Sequence, residues 1–181
     1  MRPLILGSAF VTFVLAATAG AQPAPVQATV PLHVEGNRPY VDVTLRRVNG
    51  SMRVARFLVD SGGGGFLLTE PLARDLGLTW GRTVREEGSE FAKPSAIPSA
   101  NIGGVPLDLD PARVSIVVGE SNMVPRGAPG QADGLLPGHV LAKYHVVFDY
   151  PAATFAIARP GVLTARRRAA DAGRTDGISA D

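Results

Sequence analysis

The segment 57–66 reads Phe57-Leu58-Val59-Asp60-Ser61-Gly62-Gly63-Gly64-Gly65-Phe66 and joins an apolar run to one carboxylate and four glycines. The continuous apolar run that ends at Val59 predicts a strand inside the fold. A carboxylate at the end of such a strand is costly unless it is hydrogen-bonded. Ser61 can donate to Asp60, and glycine amides can approach it because no side chain intervenes. The pattern predicts a loop that holds a carboxylate among donors, although Asp-Ser-Gly is also typical of an ordinary surface turn.

Short apolar segments around this loop predict a mainly β domain. Residues 40–45 alternate with period two, and Asn49-Gly50 is a hairpin signal before a returning strand at 54–59. Further strands are predicted at 66–69, 114–118, 146–148 and 154–157, with helical turns at 70–77 and 139–144. The polar segment 83–109 contains Pro94 and Pro98, which are expected to break regular strand pairing there. The predicted fold is a closed, barrel-like, mainly β lobe with one or two short helices.

Composition excludes several classes of protein. The 181 residues are 45% hydrophobic, which is typical of one globular domain, and the absence of cysteine excludes disulfides, thiolate metal sites and a cysteine nucleophile. A formal charge of +2 is too balanced to indicate nucleic acid binding. His33, His139 and His145 lack the spacing of a zinc site on one helix face, so neither a metal nor another cofactor is expected.

The two ends of the chain differ from the apolar middle. Arg2, an apolar run and the small residues Ala19-Gly20-Ala21 predict a signal peptide at 1–21, hence an exported protein, periplasmic or secreted, without a stable membrane anchor after cleavage. A Pro-rich linker is predicted at 22–30, the folded domain at 31–159, and a disordered Arg-rich tail at 160–181. A solvated tail is favoured over one that binds lipid or nucleic acid.

At two motifs the chain resembles the retropepsin-like aspartic proteases, the half-size relatives of pepsin. Phe57–Gly62 is similar to the family's hydrophobic-hydrophobic-Asp-Thr/Ser-Gly. Residues 132–138, followed by Leu141 and residues 144–151, resemble its second apolar-apolar-Gly segment, short helix and final strands, as in bacterial exported members. The resemblance spans roughly Val30–Arg159, which is nearly the whole predicted domain.

This resemblance implies an acid-protease lobe and a role for each matching residue. Asp60 would be the catalytic carboxylate, Ser61 would brace it by a hydrogen bond, and Gly62 would allow close packing in the loop. Residues 83–109 stand where the family has its flap over the substrate, and Leu135-Leu136 would pack beneath the catalytic loop.

Two positions depart from the family pattern. Pro137 stands where the family usually has glycine, and proline cannot donate an amide hydrogen bond. The run Gly63-Gly64-Gly65 replaces the usual Ala or Ser after Asp-Ser-Gly. A third departure is the long flap region, in which Pro94 and Pro98 are expected to prevent a regular hairpin. All three departures concern catalysis rather than the fold.

The implied chemistry needs two carboxylates, and the chain has one Asp-Ser-Gly. We therefore expect a C2 homodimer in which each subunit supplies Asp60 to an endopeptidase site that acts on peptides or proteins. The alternative is an inactive retropepsin-like domain that binds peptides or a protein partner in the periplasm.

Two other chemistries fit the same loop less well. A phosphate-binding loop would need a Gly-Lys-Ser/Thr ending, and Asp60 would repel phosphate. A nucleophilic role for Ser61 would need a Gly-x-Ser-x-Gly elbow, which is missing around it.

Overall fold

The structure is a computed structural model, and it describes residues 26–86, 88–121, 123–125 and 131–162. Within these residues the structure has thirteen strands, two short α-helices and one 3₁₀ turn at Pro111–Arg113. The strands are β1 Gln27–Pro31, β2 His33–Glu35, β3 Arg38–Arg46, β4 Met52–Asp60, β5 Phe66–Thr69, β6 Trp80–Glu86, β7 Ser89–Pro94, β8 Ala100–Ile102, β9 Val105–Pro106, β10 Val114–Val118, β11 Gly134–Pro137, β12 His145–Asp149 and β13 Thr154–Ala158. The helices are α1 Glu70–Asp75 and α2 Gly138–Leu141.

The predicted mainly β fold is confirmed. The larger sheet has the strand order β6-β7-β10-β5-β11-β4-β3-β8-β9, with β2 paired to β3, and a smaller sheet has the order β1-β13-β12. Most neighbours are antiparallel, but β4 pairs in parallel with β11, and β5 with β10. The strand order does not return on itself, so no closed barrel is found among the described strands.

Turn chemistry explains how β3 and β4 are joined. The side-chain oxygen of Asn49 accepts from the backbone N–H of Ser51 at 3.0 Å, and Gly50 has a φ of +87°, which favours glycine. A second turn at Gly36 and Asn37, with φ of +56° and +60°, joins β2 to β3 and was not predicted. Its Gly-Asn dipeptide is the signal that could have revealed it.

Helix α1 follows β5 without a connecting loop. The side chain of Thr69 accepts from the backbone N–H of Leu72 at 3.4 Å and caps the helix, while Pro71 occupies its first turn. Gly77, with φ of +76°, ends the helical segment, as the sequence pattern predicts. The predicted second helical turn is α2, which begins directly after β11.

The pairing expected to be broken by proline is regular along most of the β6–β7 hairpin and irregular only at its base. β6 and β7 form an antiparallel hairpin, and Pro94 is the last residue of β7, paired with Trp80 at the base. A missing N–H does little harm at a strand end, and Pro98 lies beyond the strand, so a hairpin forms where proline was expected to prevent one. The expected irregularity is confined to a register shift between Trp80 and Thr83, beside Pro94. The rest of the polar segment forms the separate β8–β9 hairpin.

Two apolar clusters lie on the two faces of the central strands. Phe57 and Phe66, which flank the glycine run, are both fully buried in the larger cluster, and their rings stack with centroids 5.0 Å apart. Alternation along β11 places Leu136 in that cluster and Leu135 in the smaller one. The strands that carry the Asp-Ser-Gly loop are therefore anchored on both faces.

The chain ends differ in part from the sequence interpretation. Strand β1 begins at Gln27, inside the segment interpreted as a linker, because it pairs with β13 far along the chain. The predicted signal peptide at 1–21 and all but the first three residues of the predicted tail lie outside the described residues. Within the described residues, no helix has the length and apolarity needed to cross a bilayer.

Candidate active site

Asp60 is the last residue of β4, a central strand of the larger sheet. Because β4 and β11 are parallel, their carboxyl ends meet, and Pro137 is the register partner of Asp60. The apolar residues before Asp60 anchor the strand, and the side chain of Asp60 itself is half-buried. The predicted position of this carboxylate, at the end of a strand inside the fold, is what the structure shows.

The loop after Asp60 supplies backbone donors to it. The N–H of Gly62 donates to Oδ1 of Asp60 at 3.0 Å, and the N–H of Gly63 donates to the backbone carbonyl of Asp60 at 3.2 Å. Ser61 is exposed, and its hydroxyl makes no hydrogen bond with the described residues. The donor to the carboxylate is therefore the amide of Gly62, where the resemblance implied the hydroxyl of Ser61.

Three glycines around the site lie so close to neighbouring atoms that a side chain would not fit at any of them. A Cβ on Gly63 would stand 2.8 Å from Oδ2 of Asp60, and a Cβ on Gly138 would overlap the carbonyl oxygen of Ser61. Gly134 packs against the ring of Phe57, and a Cβ there would be 2.5 Å from a backbone oxygen. The second motif thus contacts the backbone of the Asp-Ser-Gly loop at Gly138, and it packs against β4 and β5 at Gly134; both positions require a residue without a side chain.

A cavity of about 500 Å³ opens beside Asp60. It is lined by Asp60, Gly63, Gly64, Gly65, Leu67, Arg82, Val84, Glu86, Phe91, Ala92, Lys93, Ser115, Met123 and Leu135. In a flat sheet β6 would lie about 24 Å from β4, at five strand spacings of about 4.8 Å. Residues of both strands line one cavity because the sheet curls, which brings the β6–β7 hairpin over the carboxylate.

Asp133 has a structural role away from this carboxylate. Its Oδ2 accepts from the backbone N–H of Arg56 at 3.1 Å and lies 3.8 Å from the guanidinium of Arg53. The register pairs Gly134 with Phe57, so Asp133 is about 13 Å from Asp60 along the strand direction. Asp133 is therefore not the second carboxylate of the site.

Sequence reasoning found the loop but missed most of the cavity wall. Arg82, Phe91, Lys93 and Met123 line the cavity with Asp60, yet none was singled out from the sequence. The alternation of Arg82, Val84 and Glu86 along β6 could have indicated a common face. No local pattern indicates that this face meets Asp60; only the family resemblance, which puts a flap at residues 83–109, implied that part of this region lies over the site.

The three histidines do not form a site together. His33 faces Asp42 at 3.8 Å, and His145 is exposed on β12. Both ring nitrogens of His139 are buried and have no hydrogen-bond partner among the described residues. In those same residues no group of three potential metal-ligating side chains is found.

The chain is similar to a retropepsin-like aspartic protease from Rickettsia conorii, with 17% sequence identity and a TM-score of 0.44. The match covers 74% of this chain and 90% of that chain. No protein-family model and no curated protein matches the sequence. At this identity and TM-score the likeness assigns no residue and no activity.

Proposed function

We propose that the protein is an aspartic endopeptidase of retropepsin type, active as a homodimer with one Asp60 from each subunit. The observation that carries the proposal is the position of Asp60: it ends a central strand, accepts from the N–H of Gly62 at 3.0 Å and lines a cavity of about 500 Å³ with the β6–β7 hairpin. A carboxylate held by a backbone donor beside a peptide-sized cleft is suited to activating water.

The reaction needs two carboxylates that share one proton. At a separation of about 3 Å, like charges do not both ionise, so one group is a base and the other an acid. The ionised carboxylate takes a proton from water as its oxygen attacks the peptide carbon, and the other gives its proton to the carbonyl oxygen. The carboxyl that took the proton from water then gives it to the nitrogen as the C–N bond of the tetrahedral intermediate breaks. A hydroxyl proton of the intermediate returns to the other carboxylate as the new carboxylic acid forms, so the pair again holds one proton.

The second carboxylate is proposed to come from a second copy of the chain. Asp133 is committed to Arg56 and lies about 13 Å away along the strand, and the sequence has no other Asp-Ser-Gly. A two-fold axis beside Asp60 would place the two equivalent carboxylates together. Export through residues 1–21 is part of the proposal, so the substrates would be periplasmic or extracellular proteins and peptides.

A catalytically inactive domain that binds peptides or a protein partner is the second candidate. Two observations favour it. The hydroxyl of Ser61 is not engaged with Asp60, and Pro137, the register partner of Asp60, has no N–H to donate. The same cleft would then bind a chain without cutting it.

Cleavage of an unfolded protein substrate, followed from about pH 4 to about pH 7, tests the proposal. Wild type, Asp60→Asn and Asp108→Asn are compared; Asp108 is exposed and outside the cleft. Activity that peaks at mildly acidic pH, vanishes in Asp60→Asn and persists in Asp108→Asn supports a protease. Folded wild type that binds peptides without cleaving them supports the second candidate, and equal cleavage by all three proteins contradicts an Asp60-dependent activity.

A further inference from the structure

Two cations lie together at the base of the β6–β7 hairpin. The register pairs Trp80 with Pro94 and Thr83 with Ala92, so two residues of β6, at positions 81 and 82, oppose the single residue Lys93. Such a bulge redirects side chains locally. Arg82 and Lys93 both line the cavity that contains Asp60.

Lys93 is held in place by neutral groups. Its Nζ donates to the carbonyl oxygens of Ala112 at 2.7 Å and Val114 at 3.1 Å, and to the hydroxyl of Ser115 at 3.1 Å. These three bonds use the three donors of the ammonium group but do not cancel its charge. Lys93 therefore contributes a fixed positive field to the cleft rather than a free donor.

Arg82 is the donor that remains available. It is exposed, and it makes no hydrogen bond or ion pair with the described residues. Glu86, on the same strand face, is four residues away, about 13 Å along β6. No ion pair joins Glu86 to Arg82 among the described residues, and a separation beyond the screening length of about 8 Å at physiological salt weakens the effect of Glu86 on this end of the cleft.

We propose that the cleft selects peptides with an acidic side chain near the reacting bond, whose carboxylate is bound by Arg82 in the field of Lys93. The inference rests on the proposed function in taking this cleft as the peptide site. A guanidinium presents parallel N–H donors that match a carboxylate in a bidentate pair. The cavity wall carries two cations, Arg82 and Lys93, and two carboxylates, Asp60 and Glu86, so the preference rests on the position of the unpaired Arg82 guanidinium beside Lys93 and not on a net charge of the cavity. The apolar side chains of Val84 and Phe91 line the same cavity.

Binding is measured first with Asp60→Asn protein, so that the result does not depend on cleavage. The probes are two fluorescent peptides blocked at both ends and identical except for one Glu or Gln. We expect the Glu peptide to bind roughly tenfold more tightly, the scale of one charge-assisted hydrogen-bonded pair. Arg82→Gln should abolish the preference and Arg82→Lys should retain part of it. Equal binding of the two peptides, or a preference unchanged in Arg82→Gln, overturns the proposal.

Arg85→Gln is the matched control. Arg85 lies on the same strand as Arg82, pairs across the hairpin with Glu90 and does not line the cavity. The Arg85→Gln variant loses the same charge from the same hairpin as Arg82→Gln does. Its preference for the Glu peptide should therefore match that of the Asp60→Asn protein in which both variants are made. Loss of preference in both variants would show a general charge effect and overturn a specific role for Arg82.

Further measurements distinguish an internal Glu side chain from a peptide C-terminus as the bound carboxylate. They also distinguish a failure of this proposal from a failure of catalysis. A Gln peptide with a free C-terminus should gain no affinity; a gain there without one for the internal Glu contradicts the proposal. The Glu preference should fade as pH falls from about 6 to about 4, since a free glutamate titrates near 4.3. In cleavage assays with wild-type protein, the preference should appear mainly as a lower KM for the Glu peptide than for the Gln peptide. Binding selectivity without cleavage would refute the protease proposal and still support this one.

Discussion

Gly63 lies so close to Asp60 that a Cβ built on its backbone would stand 2.8 Å from Oδ2 of the carboxylate. The same Cβ would be 3.0 Å from the side chain of Leu135, which packs under the loop. The neighbouring Gly64 has nothing within 4 Å of its own Cβ position. A side chain is therefore excluded at Gly63 but tolerated at the adjacent Gly64, and the atom that excludes it belongs to the carboxylate of Asp60.

Gly63→Ala is expected to lower proteolytic activity at least tenfold, because the methyl group displaces the carboxylate or the loop that holds it. Gly64→Ala should retain activity close to wild type. Rates of peptide cleavage are compared after thermal unfolding has shown that both variants are folded. If the two alanine variants are equally active, the approach of Gly63 to Asp60 has no catalytic importance.

Mixing experiments test whether each site needs two copies of Asp60. Wild type held at a fixed concentration is incubated with increasing Asp60→Asn protein, and activity is measured after subunit exchange. Activity should fall well below the wild-type value, because mixed dimers contain one carboxylate instead of two. Unchanged activity, together with a monomeric mass in analytical ultracentrifugation, would contradict the dimer mechanism.

Gly134→Ala is expected to lower the free energy of unfolding by about 1–3 kcal/mol, the usual cost of overpacking a core. The added methyl group would meet the ring of Phe57 and lie 2.5 Å from the backbone oxygen of Leu67, and neither group can move freely inside the sheet. Gly81→Ala is the control, because nothing lies within 4 Å of its Cβ position. Denaturant unfolding gives the comparison, and equal stability of the two variants would show that the sheet adapts at Gly134.

His139 is expected to make the fold less stable in acid. Burial lowers the pKa of His139 below its usual 6.5; the positive charges of Arg113 and Lys143 act in the same direction, while Asp110 opposes them. The unfolded chain therefore binds a proton at a higher pH than the folded chain does. Above the pKa of His139 in the unfolded chain, this group does not change the free energy of unfolding. The free energy of unfolding decreases as pH falls from about 6.5 towards the lower pKa of His139 in the folded chain.

Replacing His139 by Gln removes the titrating group while keeping a side chain of similar size. The free energy of unfolding is measured from about pH 7.5 to about pH 5 for both proteins. The decrease towards acid should be shallower in His139→Gln than in wild type. Parallel pH profiles would mean that this histidine does not couple folding to protons.

Sequence interpretation was most successful where structure depends on neighbours in the chain. The alternation of residues 40–45 and the Asn49-Gly50 turn led to β3 and β4 close to their observed bounds. The position of Asp60 at a strand end followed from the same pattern. These signals are reliable because side-chain alternation and turn backbone angles are set within a few residues.

Interpretation was less successful for segments whose partners are distant. Strand β1 lies partly in a Pro-rich stretch and forms only because β13 is available to pair with it. Pro94 looked like a strand breaker, but the structure places it at a strand end, where its missing N–H is tolerated. Neither outcome can be deduced from local composition, since each depends on register with a segment elsewhere.

The features of the candidate site also fall into those set by local sequence and those set by tertiary structure. Local chemistry alone was enough to place a carboxylate and its glycine donors in one turn after a buried strand. Only tertiary structure brings Arg82 and Lys93 into the cavity of Asp60, because twist accumulates over five strand spacings until the hairpin returns over the loop. Tertiary structure also commits Asp133 to Arg56, through a parallel pairing between strands far apart in the chain. Backbone angles are a local property, whereas curvature and register are properties of the whole sheet.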